Sequence, residues 1–220
     1  MTRTGFASEL DHAERSTREL GQTVVDAIGQ AMTAVRTQDG ALAERVVRHD
    51  AAINAKRYAI EEEAVGIIAT QEPVARDLRL LVAVLNVIVD LERIADHAAG
   101  IAGIVLQLGE PVLELPPGLP GMAELATSML EGSLAAFFAR DPEAARRVAE
   151  RDDEVDALVK DVYGDLIASM LRQRSSVNRA THLIWLAHDL ERIADRATNI
   201  CERVVYLVTG NTREINVSRA

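Results

Sequence analysis

Cysteine occurs once in 220 residues, as Cys201, so no intrachain disulfide can form and nothing calls for an oxidising compartment. Aromatic residues are scarce: three Phe, one Trp and three Tyr. A core must therefore be assembled from Leu, Val, Ile and Ala, which favours helices over β-sandwiches. Glycine (13) and proline (6) together fall below the usual share of about 12%, which leaves few turns and long elements. The 24 basic residues are outnumbered by 34 acidic ones, for a net charge of −10. With neither phosphate-neutralising charge nor stacking rings in quantity, the composition argues against a nucleic-acid partner. Long hydrophobic runs are missing too. The most apolar stretch, Leu80 to Val89, is interrupted by Asn86 and closed by Asp90, far short of the roughly 18 to 20 residues that span a bilayer. The N-terminus reaches charged Glu9 and Asp11 without the apolar segment of a secretory signal. The expectation is a cytoplasmic protein that meets a membrane only through partners.

What is present is enough apolar material for a core, 48% of the chain, with 26% charged residues. Four of the six prolines lie between Pro111 and Pro120. Proline removes an amide donor and turns its predecessor away from helix, so residues 110–121 read as a linker. Pro73 and Pro142 sit where helices would begin, the latter after Asp141 as an N-cap. With breaks at Gln38-Asp39-Gly40 and around Gln173 to Ser176, six long helices are predicted. Their spans are 5–37, 40–70, 73–109, 122–139, 142–172 and 176–208. The fold class is all-α, with a first unit at 1–109 and a second at 122–220.

The two halves repeat each other. Asp90-Leu91-Glu92-Arg93-Ile94-Ala95-Asp96 recurs letter for letter as Asp189-Leu190-Glu191-Arg192-Ile193-Ala194-Asp195, 99 positions later. Upstream, the stretch from Val46 to Asn54 matches Val148 to Asp156 at an offset of 102, and Asp39 matches Asp141 at the same offset. Two separated matches in the same order mark a tandem duplication of a three-helix bundle.

At about 100° per residue, Leu80, Val84, Val87, Leu91, Ile94, Ala98 and Ile101 share one face, as do Leu183, Leu186, Leu190, Ile193, Ala197 and Ile200. These are the predicted core stripes. A second line, Leu81, Leu85 and Val89, turns acidic at Glu92 and Asp96. Its counterpart runs Ala180, Ile184, His188, Glu191, Asp195 and Asn199. Glu92 with Asp96, and Glu191 with Asp195, stand i, i+4 on one side of a helix, where like charges repel by a few tenths of a kcal/mol. Asp50 with Asn54, and Asp152 with Asp156, repeat the spacing on the preceding helix. If the two helices pack antiparallel, these oxygens could converge on a hard cation. The alternative is a solvated acidic face neutralised by Arg93, Arg192 and Arg196.

Other chemistry is sparse. Glu9-x-x-His12 is a single Glu-x-x-His match where a di-iron centre wants two. His188, three before Glu191 on the acidic line, reads first as a packed helix-face histidine, with a metal ligand or a donor to a neighbouring ligand as the alternatives. Cys201 reads as a small buried apolar residue. No Walker-type phosphate loop or nucleophile motif occurs, and the chain is not expected to be an enzyme. The rival readings are a metal-handling or metal-dependent oxidase protein on a helical bundle, and a purely structural oligomerisation module.

The succession Asp50-x-x-Ile-Asn54, Ala75-Arg76-Asp77-Leu78-Arg79, Leu91 to Asp96, linker, Asp152-x-x-Val-Asp156, Leu190 to Asp195 and Asn199-Ile200 resembles the PhoU family of bacterial phosphate-signalling proteins over essentially the whole chain. The resemblance implies two three-helix bundles side by side, with Glu/Asp-x-x-x-Asp motifs that bind divalent or trivalent metal ions. Iron clusters are among the options and Zn, Mn and Mg the alternatives. On that resemblance the metal-site residues are Asp50, Asn54, Glu92 and Asp96 in the first unit and Asp152, Asp156, Glu191 and Asp195 in the second. Asn54 in place of a carboxylate, and Gly100 opposite Asn199, weaken the first site. The implied function is negative regulation of phosphate uptake and of the phosphate-starvation response. The implied partners are the ATPase of a phosphate ABC transporter, a sensor histidine kinase and a second copy of the chain. The implied place is the cytoplasm, peripheral to the inner face of the membrane.

Overall fold

The computed structural model describes residues 3–108 and 114–211. Among them every regular element is a helix. The first unit is α1 (Arg3–Thr37), α2 (Gly40–Gln71) and α3 (Ala75–Leu108). The second is α4 (Gly118–Ala139), α5 (Pro142–Ala149), α6 (Asp152–Arg172) and α7 (Val177–Thr209), with one 3-10 turn at Arg174–Ser176 leading into α7. No helix among the described residues is long and apolar enough to cross a membrane.

Local chemistry sets the boundaries. Asp39 accepts from the Leu42 amide at 2.9 Å and starts α2. Asp141 accepts from the amides of Glu143 (3.0 Å) and Ala144 (2.9 Å), with Pro142 as the first helical residue of α5. Each such cap satisfies donors that a helix start leaves free. At the other end of the chain, Gly210 closes α7 in the left-handed conformation (φ 77°) and donates to the Tyr206 carbonyl at 2.8 Å.

Three boundaries differ from expectation. The predicted fifth helix, 142–172, is broken at Glu150–Arg151, where the Arg151 amide reaches the Val148 carbonyl at 3.1 Å and tightens the backbone to a turn. The acidic run Asp152, Asp153 and Glu154 then sits in the first turn of α6. Negative charge favours a fresh helix N-terminus over a helix interior. The second difference is in the proline-rich stretch, of which 109–113 lie outside the described residues. Its end is helical, because α4 begins at Gly118. Pro120 is tolerated there since amides of a first turn have no partner within the helix, and fully buried Leu119 anchors the turn. Third, α3 begins at Ala75 rather than Pro73, after Glu72 turns left-handed (φ 47°).

Packing follows the predicted stripes. Every residue of the two core lines on α3 and α7 is buried, with Leu91, Ile94, Leu190 and Ile193 fully so. Each contributes about 1.5–3 kcal/mol of apolar burial. Leu81 of the second line is buried as well, and Leu85 packs partly against the core. The largest contact between helices joins α3 to α7, the last helices of the two units. Arg79, near the start of α3, donates to the Leu207 carbonyl at 3.3 Å, and Arg140 pairs with Glu14 at 3.1 Å, so both ends of the units are tied.

This α3–α7 seam carries the duplication into three dimensions. Asp90 reaches Asn199 (3.4 Å) and Arg196 (3.5 Å). Its repeat equivalent Asp189 reaches His97 (2.9 Å), the equivalent of Arg196. A Cβ placed on Gly100, the equivalent of Asn199, would meet Asp189 Oδ2 at 3.0 Å. The two units thus meet through a pseudo-two-fold axis, with each Asp gripping the other unit.

Candidate functional site

The acidic pairs are brought together by hairpin register. Asp50 and Asp96 are equidistant from Pro73, and so are Asn54 and Glu92. Asp152 with Asp195, and Asp156 with Glu191, are likewise equidistant from the turn at Gln173–Arg174. Because consecutive helices of a bundle run antiparallel at a common rise per residue, each pair stands at one level. The α2–α3 and α6–α7 contacts are extensive.

Electrostatics record the convergence. In the first unit burial pushes the Asp50 carboxyl up, and Asp96 on the facing helix adds to it. Burial likewise raises Glu92, with Asp96 and Asp50 adding and Arg57 and Arg93 opposing. In the second unit burial pushes Asp152 up to about 6, helped by Asp195, Asp156, Asp153 and Glu191. Asp195 is also raised by burial, against the pull of Arg192. Burial raises the Tyr163 phenol, and nearby Glu191 adds to it.

The partners differ between the clusters. Asn54 Nδ2 donates to Asp50 Oδ2 at 3.0 Å, leaving Asp50 Oδ1 buried with no hydrogen bond. Arg192 pairs with Asp195 at 2.7 Å, and His188 sits 3.3 Å from Glu191 as an exposed side chain. His12 bonds Glu63 at 2.7 Å, far in sequence from either cluster. Asn199, read as a continuation of the second acidic line, serves the α3–α7 seam instead.

Sequence reasoning missed Arg57. It forms an ion pair with Glu61 at 2.7 Å and lowers the carboxyl of Glu92. At the offset of 102 its equivalent is Val159, which is buried, and the equivalent of Glu61 is Tyr163. Aligning α2 on α6 past the matched stretch would have revealed the exchange. The first cluster therefore carries a cation of its own on α2, whereas the second has an apolar residue at that place.

The donor set suits a hard cation: carboxylate and amide oxygens with no thiolate, the nearby His188 imidazole being held by Glu191. Asp50 Oδ1 is buried without a hydrogen bond, and every neighbour that bears on Asp152 is another carboxylate. Among the described residues no three His, Cys, Asp or Glu side chains close around a single point. Arg192 and Asn54 hold ligand candidates in their own hydrogen bonds, so closure on an ion requires those side chains to swing.

Comparison with known proteins identifies the architecture. The sequence model of the PhoU domain matches twice, over residues 17–105 and 119–204. A phosphate-specific transport system accessory protein PhoU homolog of Clostridium acetobutylicum is 35% identical over 98% of this chain and 100% of its own length. The crystal structure of the phosphate transport system regulatory protein PhoU from Streptococcus pneumoniae superposes with a TM-score of 0.89 at 36% identity, covering 94% of this chain and 99% of that one. PhoU from Pseudomonas aeruginosa gives 0.87 at 33%, over 94% and 100%. With both units matched, and relatives similar from end to end, the chain belongs to the PhoU family.

Proposed function

We propose that this protein is a negative regulator of phosphate uptake and of the phosphate-starvation response. It acts as an adaptor between the ATPase of a phosphate ABC transporter and a sensor histidine kinase, and is not itself a catalyst. The carrying observation is similarity along the whole of both units to proteins named for phosphate transport. Removing the protein from cells grown in ample phosphate is expected to raise phosphate uptake and starvation-gene expression together. Unchanged uptake and expression would sink the reading. Capture of a transporter ATPase or a histidine kinase on the intact protein tests the adaptor role.

The reading extends to a cation held between α6 and α7 by Asp152, Asp156, Glu191 and Asp195. Asp50, Glu92 and Asp96 between α2 and α3 form a weaker site, because Asn54 brings no charge and occupies Asp50, and Arg57 already opposes the negative charge there. A bound cation supplies positive charge that relieves the repulsion raising Asp152 and Asp195, and so couples metal occupancy to the packing of α6 on α7. Metal content of the intact protein, compared with a variant in which Glu92, Asp96, Asp152, Asp156, Glu191 and Asp195 are all Ala, tests it. Full retention of metal by that variant refutes the cation site and leaves the regulatory role standing.

A further inference from the structure

Between α3 and α7, around the Asp90 contacts to Arg196 and Asn199 in the seam, lies an open cavity of about 470 Å³. Its polar lining is Asn86, Asp90 and Arg93 from α3, and Arg196, Asn199 and Arg203 from α7. Three guanidinium groups thus face one carboxylate, in a chain whose net charge is −10. The surplus is local and runs against the protein's overall field. Its parts are under-used. Arg196 Nε is buried with no hydrogen bond, and its pairing with Asp90 is loose at 3.5 Å. Arg203 has Glu202 as an ion-pair partner at 3.8 Å.

The duplication provides an internal control. At the offset of 99, Arg196 corresponds to His97, Asn199 to Gly100, Arg203 to Ile104 and Asn86 to Trp185. On that side Asp189 lies against Gly100, with a direct bond to His97. Two units of one ancestry therefore pack through the same seam, but Arg196 and Arg203 near Asp90 are replaced by His97 and Ile104 near Asp189, while Arg93 keeps its counterpart in Arg192. Packing the seam does not require the guanidinium groups of Arg196 and Arg203.

We propose that this cavity binds a protonated tetrahedral oxyanion of the phosphate class, either free hydrogen phosphate or a phosphomonoester group. Arg93, Arg196 and Arg203 grip its oxygens, and the Asp90 carboxylate accepts a hydrogen bond from the anion's own hydroxyl. Guanidinium forks match tetrahedral oxyanions in geometry as well as charge. A carboxylate accepts but cannot donate, so it repels an anion without a proton and welcomes one that has a hydrogen to give. The cavity lies on the α3–α7 seam rather than between α2 and α3 or α6 and α7, although Arg93 and Arg196 also act on Glu92 and Asp195 of the acidic clusters. The proposal goes beyond the regulatory reading without depending on it: failure to bind anions in vitro leaves a role in uptake intact, and the uptake experiment says nothing of this cavity.

The test is titration calorimetry of the full chain with inorganic phosphate and with sulfate at matched ionic strength and neutral pH. Phosphate is expected to bind at least roughly tenfold more tightly than sulfate. Arg93→Gln and Arg203→Gln should each weaken phosphate by about tenfold or more, while the remote Arg146→Gln leaves it unchanged. Asp90→Asn should narrow the preference over sulfate. Arg93 is exposed, so its variant keeps the test valid should changes at partly buried Arg196 or Arg203 disturb folding. A parallel arm measures sedimentation with phosphatidylcholine vesicles with and without phosphatidic acid. Binding confined to phosphatidic acid and lost in the same variants assigns the phosphate group to a lipid headgroup. Absence of binding in both arms, binding indifferent to Arg93→Gln and Arg203→Gln, or equal affinity for sulfate would overturn the proposal.

Discussion

Asp152 offers the sharpest prediction, because its carboxyl is pushed from 3.8 up to about 6 by burial and by four neighbouring carboxylates. A folded-state acid with a raised pKa binds its proton more tightly than the unfolded chain does. Stability therefore falls as pH rises from about 4 to about 6, and the penalty persists at higher pH. The full change corresponds to at most about 3 kcal/mol, and solvent screening of a half-buried side chain reduces it to about 1–2 kcal/mol. Asp152→Asn removes the charge and keeps the shape. In chelator, the variant is expected to be about 1–2 kcal/mol more stable than the parent near neutral pH, or about 2–8 °C in Tm for a chain of this length. The gain should vanish near pH 4, where the parent carboxyl is itself protonated in the fold. Urea unfolding from acid to neutral pH, followed by far-UV circular dichroism, measures both. A variant no more stable at neutral pH, or a gain that does not shrink on acidification, would refute the electrostatic account of the second cluster.

Other outcomes follow from the same structure. The cation proposed for the second cluster should, when added, reverse the order, stabilising the parent more than Asp152→Asn by thermal melting, since only the parent keeps all four carboxylates. Asp141→Ala loses the double cap on α5 and should cost about 1 kcal/mol in urea unfolding. Gly103→Ala, where a Cβ meets nothing within 4 Å, should stabilise α3 by about 0.5–1 kcal/mol. Gly132→Ala places its Cβ 2.8 Å from the branched Val148 side chain and should instead destabilise by about 1–2 kcal/mol. Cys201, fully buried and with its thiol raised by burial to about 12, should resist thiol reagents until the chain unfolds, as labelling in increasing urea would show.

Much of the fold is written in one-dimensional pattern. The core stripe from Leu80 to Ile101 is read from helical periodicity, and burial follows it residue by residue. Asp39 and Asp141 announce helix starts through local hydrogen bonds that need no tertiary context. The break at Glu150–Arg151 was less legible, since the equivalent stretch of α2 around Arg48 and His49 runs through without one. Helical preference alone distinguishes the two poorly, because the acidic residues that follow are tolerated in a helix and merely better placed at its start. The start of α4 at Gly118 was hidden by proline, whose local cost disappears in a first turn.

The candidate site divides in the same way. Spacing alone places Glu92 with Asp96 and Glu191 with Asp195 on one side of a helix, and the repeat doubles the pattern. The exchange of Arg57 for Val159 is visible in the aligned repeats, but that Arg57 acts on Glu92 follows only from α2–α3 packing.

The sequence by itself determined the helices, the duplication and the acidic pairs, because each depends on residues within a few turns of one another. Only the tertiary structure decided how the copies meet. The exchange of Asp90 and Asp189 across the α3–α7 seam, and the arginine-lined cavity beside it, depend on two helices about a hundred residues apart crossing at one place. No local preference specifies that crossing. It is fixed by the joint burial of two apolar faces, which periodicity reveals one at a time and packing alone brings into register.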